Sequence, residues 1–284
     1  MDDLYVTKMQ ADKGEFLRQK LNKSGKIRIN NPEYNRPVKV FLGIVIVLSI
    51  LSLVSLDINW VTLASRLGNL VGVFADLAKF NFSNIGTVFI AFAESVAVTI
   101  LATLYSLIMG LVMGAFMAKN ITPSNKLAVA LSALHSFVRA VPTPVWVLLF
   151  LACLGFGPAP GIVGLSLHAT AFFARAFTQA FEEVSTDTIE ALRATGATRI
   201  QIFFSAILPA SLTALIAWGA MRFEINFSES SILGMVGGGG IGYSIAASMT
   251  GYNLGRAGVS ILMVFLFAYS LELIFTAMKR RMKI

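Results

Sequence analysis

The chain has 284 residues, 56% of them hydrophobic and 13% charged, with a formal net charge of +8. A soluble domain carries about 25% charged residues, so this composition is that of a polytopic membrane protein, sized for one membrane domain without a nucleotide-binding domain. The positive charge does not point to nucleic acid: nine of the 23 Lys and Arg residues precede Val40 and four lie within the last six residues, flanking apolar runs as cytoplasmic segments do.

Residues 1–37 form a basic N-terminal segment. Its polar lead is too long for a cleaved signal peptide, so the first apolar run is expected to remain as an anchor. The segment alternates Lys and Arg with Leu17, Leu21, Ile27 and Ile29. That pattern fits a solvated tail, or a helix lying on an anionic leaflet.

A membrane span needs about 20 apolar residues. Six runs between residues 38 and 284 qualify: Val38–Leu56, Ile85–Ala118, Leu127–Leu154, Gly161–Ala180, Ala206–Phe227 and Val259–Met278. The third is interrupted by Pro142 and Pro144. Between the first two runs, Ile58–Phe80 places Leu63, Leu67, Leu70, Val71, Phe74, Leu77 and Ala78 on one face, which predicts an amphipathic helix on the outer surface. Ser230–Tyr252 is small, polar and glycine-rich, and predicts a loop or a re-entrant segment.

Cations set the orientation. With the N-terminus inside, six spans return the C-terminus inside, and 17 of the 23 Lys and Arg residues fall in cytoplasmic segments, as the positive-inside rule requires. The expected location is a membrane, with both termini cytoplasmic and lipid as a partner. Arg175, Glu182 and Glu183 are expected at the inner end of the fourth span. No internal repeat is visible, which weighs against an inverted-repeat secondary transporter.

The most ordered polar interruption lies in residues 182–209. Ile189, Leu192, Ile200, Phe203 and Phe204 supply apolar contacts, and Ser185, Thr186 and Asp187 offer capping oxygens. Gly196 can break the helix between them. The expected shape is a short helix, a bend at Gly196, a second helix, and Pro209 near the start of the next span. Glu190, Ala191, Gly196, Leu208 and Pro209 stand at fixed offsets between two spans.

That spacing resembles the "EAA loop" of membrane permease subunits of bacterial ATP-binding-cassette importers. The sequence departs from the family pattern at Leu192 and Ala206. His135–Trp146 (HSFVRAVPTPVW) resembles the arginine-proline stretch of the same superfamily. Arg222–Gly242 (RFEINFSESSILGMVGGGGIG) is similar to the phosphonate, phosphite and phosphate branch, departing at Ser228, where a basic residue is expected. The resemblance covers roughly residue 91 to the C-terminus. It implies an all-α fold of the type I importer permease kind: six transmembrane helices, an outer amphipathic helix and a cytoplasmic coupling helix. It implies a homodimer with one path at the two-fold, two cytoplasmic ATPase subunits and an extracytoplasmic solute-binding protein. ATP and Mg would sit in the partner ATPase, with no cofactor in this chain and no catalysis by it. Coupling to the ATPase would fall to Glu190, Ala191, Arg193, Gly196, Ala197, Leu208 and Pro209.

Charged groups inside a bilayer usually face a cavity or a partner. Arg139, Pro142, Arg222, Asn226 and Ser230 are therefore candidates for the translocation path. For Arg222 a buried ion-pair network is an equal alternative, and for Glu224 the structural role is preferred. Arg139 can instead snorkel to the inner interface. Cys153 and the separated His135 and His168 offer no disulfide or metal framework. Gly237–Gly240 lacks the Gly-Lys-Ser/Thr of a phosphate-binding loop. It reads as flexible backbone, a close helix approach, or a gate-side contact for the solute. An amino acid or phosphate importer, an ion-coupled transporter, a membrane enzyme and an exporter subunit are the competing classes.

Overall fold

The computed structural model describes residues 32–56 and 58–282. Most of the basic segment 1–37 lies outside the described residues. The chain divides into two compact units between Leu70 and Val71.

The first unit holds α1 (Pro32–Ser55) and α2 (Trp60–Gly68). The side chains of α1 from Arg36 to Ser55 are all exposed, and a helix apolar all round with nothing on it is built for lipid or another chain. Asn59 caps α2 by accepting from the Thr62 N–H at 3.0 Å. The run read as one outer amphipathic helix is thus two, because the backbone breaks at Asn69 before α3 (Leu70–Leu77).

The second unit continues with α4 (Ile85–Met117), α5 (Asn125–Ala140), α6 (Thr143–Leu154), α7 (Pro158–Glu182), α8 (Thr186–Ala194) and the single turn α9 (Arg199–Ile202). A π-turn (Phe203–Ile207) leads into α10 (Leu208–Leu233). A second π-turn (Gly234–Gly238) leads into α11 (Gly240–Thr250), and α12 (Leu254–Met282) ends the described chain.

Its core is the pairing of α4 with α7. Gly110 and Gly114 of α4 lie against the backbone and Cβ atoms of Phe173, Ala174 and Phe177. The four-residue spacing of small residues lets two helices approach closely without hydrophobic drive from water. Phe173, Phe177 and Phe181 then form a fully buried column along α7, with ring centroids 5.1 and 6.5 Å apart. Gly164 of α7 admits Val147 of α6 in the same way.

Among the described residues, four helical stretches are long and apolar enough to cross a membrane: Arg36–Ser55, Ile85–Met117, Arg199–Gly238 and Leu254–Arg280. One of the six expected spans is divided in the structure. Leu127–Leu154 is two helices, α5 and α6, bent by 88°. Pro142 and Pro144 remove the amide donors that would have carried the helix across Val141, and Pro142 becomes the N-cap of α6. The expected Gly161–Ala180 run forms α7, which carries His168 and Arg175 and is less apolar than these four stretches, yet is central to the core.

Ser230–Tyr252 is not a loop. Ser230 lies inside α10, and the remainder forms α11 after a break at Gly237–Gly239. Gly237, Gly239 and Gly240 have φ of +112°, +74° and +71°, which residues with a Cβ rarely adopt. The break is held from α4. Glu94 Oε2 accepts from the Gly240 N–H at 3.1 Å, and Ser95 Oγ accepts from the Ile241 N–H at 2.9 Å. Two side chains of α4 thereby satisfy orphan donors at the α11 N-terminus. The close helix approach read for the four glycines is present here: a Cβ at Gly239 or Gly240 would meet Glu94 or Ser95.

Candidate functional site

Residues 182–209 adopt the expected helix–bend–helix. Ser185 caps α8 by accepting from the Asp187 N–H at 3.3 Å. Gly196 takes φ +84°, ending α8 through a left-handed residue, as glycine does at many helix ends. Thr198 and Gln201 then form a reciprocal capping box on α9. The π-turn that follows ends at Leu208, whose N–H bonds to Phe203 O, and Pro209 occupies the first turn of α10, where its missing donor costs nothing.

One face of this segment is buried. Ile189, Ile202 and Ile207 join the same cluster as Phe173, Phe177 and Phe181, and Phe203 packs edge-on against Phe181 at 5.3 Å. The other face is open: Glu190, Ala191, Arg193, Gly196 and Pro209 are exposed, and Ala197 and Leu208 half-buried. Two arginines tie the segment to the turn between α4 and α5. Arg193 Nη2 donates to Asn120 O and Arg199 Nη1 to Thr122 O, both at 3.1 Å. From the end of α7, Glu182 accepts from the Lys119 N–H and Phe181 O accepts from Asn120 Nδ2, both at 2.8 Å. The segment is thereby packed against and hydrogen-bonded to the ends of α4 and α7.

The translocation-path candidates separate into two places. Arg222, Asn226 and Ser230 share one face of α10 at four-residue spacing and are all buried. They meet a polar stripe of α4. Asn226 Nδ2 donates to Thr103 Oγ1 at 2.9 Å, and the Ser230 and Thr99 hydroxyls stand 3.2 Å apart. Arg222 pairs with Glu229 Oε2 at 3.2 Å and not with Glu224, which makes no hydrogen bond or ion pair among the described residues. Arg222 also donates to His168 Nδ1 at 3.2 Å and sits 5.5 Å from the centre of the Phe172 ring. A guanidinium only donates, so Nδ1 is the acceptor and the imidazole proton is on Nε2.

Arg139 and Pro142 lie elsewhere and are exposed. Arg139 opens onto a polar cleft of about 330 Å³ between the end of α4, α5 and α7, together with Lys119, Arg175 and Glu182. Glu183, which neighbours Glu182 in sequence, faces a different groove, beside α8 and the start of α10. His135 is buried with its Nδ1 2.7 Å from Leu131 O, a helix-packing role.

Sequence reasoning missed Glu94 and Thr99, and did not pair Arg222 with Glu229. Glu94 is the single charged residue between Ile85 and Met117, and that isolation was a usable signal. Glu229 is seven residues from Arg222, two helical turns, but only if the helix runs past Phe227.

A family profile described as "Binding-protein-dependent transport system inner membrane component" matches residues 110–284. The chain is 31% identical over 245 residues to the phosphate-import permease protein PhnE of Mycolicibacterium smegmatis, covering 86% of this chain and 46% of that protein. It is 35% identical over 158 residues to the phosphite transport system permease protein PtxC of Stutzerimonas stutzeri, covering 55% and 56%. The chain spans about half the length of these two relatives. Among solved structures, inward-facing forms of the MetNI methionine ABC transporter superpose with a TM-score of 0.63 at 23% identity, covering 72% of this chain and 99% of that chain. A second crystal form gives 0.60 at 25% identity, covering 66% and 93%. An all-helical bundle of apolar spans, a fixed helix–glycine–helix segment and a profile spanning most of the second unit agree: the chain belongs to the family of binding-protein-dependent transport system inner membrane components.

Proposed function

We propose that this chain is the membrane-spanning permease subunit of an ATP-driven importer that moves a phosphonate- or phosphite-like oxyanion into the cytoplasm by alternating access. The observation that carries the proposal is the 186–202 segment: an open helix–glycine–helix whose inner face is packed into the α4–α7 core. Such a segment receives a partner's motion and passes it to the spans. In this reading the partners are a second copy of the chain, a cytoplasmic ATPase dimer holding ATP and Mg, and an extracytoplasmic binding protein. Both termini are cytoplasmic, on the distribution of Lys and Arg. ATP binding draws the two coupling segments together and opens the path outward; hydrolysis resets it.

The cargo class rests on the relatives with phosphate and phosphite names and on the cations along α5, α7 and α10. A second reading, an amino acid cargo, is favoured by the MetNI fold and by 30% identity over 162 residues to a probable D-methionine permease of Pasteurella multocida. Ligand binding by the cognate binding protein decides between them. Tight binding of a phosphonate, phosphite or phosphate supports the oxyanion reading; binding of methionine with indifference to all three overturns it.

A further inference from the structure

The α7 helix has two unlike faces. One carries the buried column Phe173, Phe177 and Phe181. The other carries His168, Arg175, Gln179 and Glu182, spaced so that they share a stripe. Arg175, Gln179 and Glu182 are exposed on the half of α7 that also carries the buried phenylalanines, and they open onto the cleft of about 330 Å³ that Arg139, Lys119 and His135 also line.

Charge in this cleft is unbalanced. Lys119, Arg139 and Arg175 face one carboxylate, Glu182, and that carboxylate already accepts from the Lys119 amide at 2.8 Å. Among the described residues, Arg139 and Arg175 have no hydrogen bond or ion pair. An arginine on a spanning helix is costly unless it meets water, a partner or a ligand. Two guanidiniums with unused forked donors match the oxygens of a phosphate or phosphonate group. A zwitterionic amino acid is a poor occupant, because its ammonium would enter a cleft with a cationic excess. Arg139 is also an electrostatic neighbour of His168 and Arg222, so the cations extend from the cleft towards the α10 cluster.

We propose that this cleft binds a free phosphorus oxyanion through Arg139 and Arg175, as a station at which cargo is held on its way through the protein. The cargo role rests on the importer reading above; the anion site itself does not. An anionic lipid headgroup offers the same phosphate chemistry, so the test separates the two sources.

The test is residue-specific arginine modification of the purified permease–ATPase complex with phenylglyoxal, read by peptide mass spectrometry. In lipid-depleted detergent, millimolar orthophosphate or methylphosphonate is expected to slow modification of Arg139 and Arg175 by about threefold or more, as engaged charge-assisted donors require. Chloride at matched ionic strength should not. Equal protection by chloride, or none by either oxyanion, overturns the site. Protection that appears only in nanodiscs containing phosphatidylglycerol assigns the cleft to lipid and overturns it equally.

A transport arm tests the cargo role. With the cognate binding protein in proteoliposomes, Arg139→Gln/Arg175→Gln is expected to reduce orthophosphate or methylphosphonate uptake by about tenfold or more, since each of the two lost charge-assisted contacts is on that scale. ATPase stimulation by the loaded binding protein should stay within about twofold of wild type. An Arg175→Lys variant, which keeps charge without the fork, should fall between. Unchanged uptake, or ATPase activity lost in parallel, overturns the station. If wild type moves neither oxyanion while protection is seen, the oxyanion-cargo reading fails and the anion site stands.

Discussion

Arg222 Nη2 donates to Glu229 Oε2 at 3.2 Å across two turns of α10, and the two side chains differ sharply in exposure, 5% against 25%. Removing the acid leaves a buried guanidinium without its counter-ion, whereas removing the arginine leaves a carboxylate that water can reach. Glu229→Ala is therefore expected to cost about 3 kcal/mol, the lower end of the range for breaking a buried pair, and Arg222→Met clearly less. Thermal unfolding of the detergent-solubilised protein checks the order. Equal losses, or a larger one for Arg222→Met, would show that the pair does not hold the helix as described.

The close approach of α11 to α10 depends on the absence of a side chain at Gly242. A Cβ there would run into Ser231 O and the Gly234 backbone. Backbone atoms cannot swing aside as side chains do, so Gly242→Ala should destabilise by about 2–3 kcal/mol, the cost of overpacking. Gly86, with nothing within 4 Å of a built Cβ, is the control. Gly86→Ala should be neutral or stabilising by up to about 1 kcal/mol. Similar melting temperatures for the two variants would count against the tight α10–α11 packing.

What sequence revealed and what it hid divide along the range of the interactions involved. The 186–202 segment was legible because its determinants are local: Ser185 and Thr198 as caps, Gly196 as the left-handed residue, Pro209 in the first turn of α10. The prolines at 142 and 144 were visible too, but hydropathy runs smoothly through them and hides an 88° bend. Ser230–Tyr252 read as a loop or a re-entrant segment because the groups that order it, Glu94 and Ser95, lie 146 residues away from their partners in sequence. The partner of Arg222 was missed for a related reason. Ending the fifth span at Phe227 took Glu229 off the helix, leaving Glu224 as the nearest acid although it points to another side. The cationic cleft was legible only as separate residues, since Arg139 and Arg175 come from different helices.

Arg193 and Arg199 each bond a backbone carbonyl of the 118–124 turn, and both are exposed, so neither contributes much to global stability. Their effect is expected in local opening. Arg193→Ala/Arg199→Ala should speed amide hydrogen exchange in residues 118–124 by several-fold while leaving α4 and α7 protected. In the proposed importer it should also lower uptake per ATP hydrolysed. Unaltered exchange in the turn would mean that the arginines do not tie the segment to α4.

Gly196 offers the sharpest test of the coupling role, because its conformation and its surroundings ask different things of a substituent. Its φ of +84° penalises any side chain, yet nothing lies within 4 Å of a built Cβ. Gly196→Ala should therefore cost about 1–2 kcal/mol of backbone strain without a clash, and the protein should still fold and bind the proposed ATPase. Gly196→Arg adds bulk to the open face that this proposed partner would use. It is expected to leave the complex assembled while cutting solute uptake per ATP hydrolysed by about tenfold or more, since a misplaced contact disrupts transmission rather than binding. Assembly is read by co-purification and coupling by paired uptake and phosphate-release assays in proteoliposomes. Full uptake by the Gly196→Arg variant, with normal ATPase activity, would remove this segment from the coupling path.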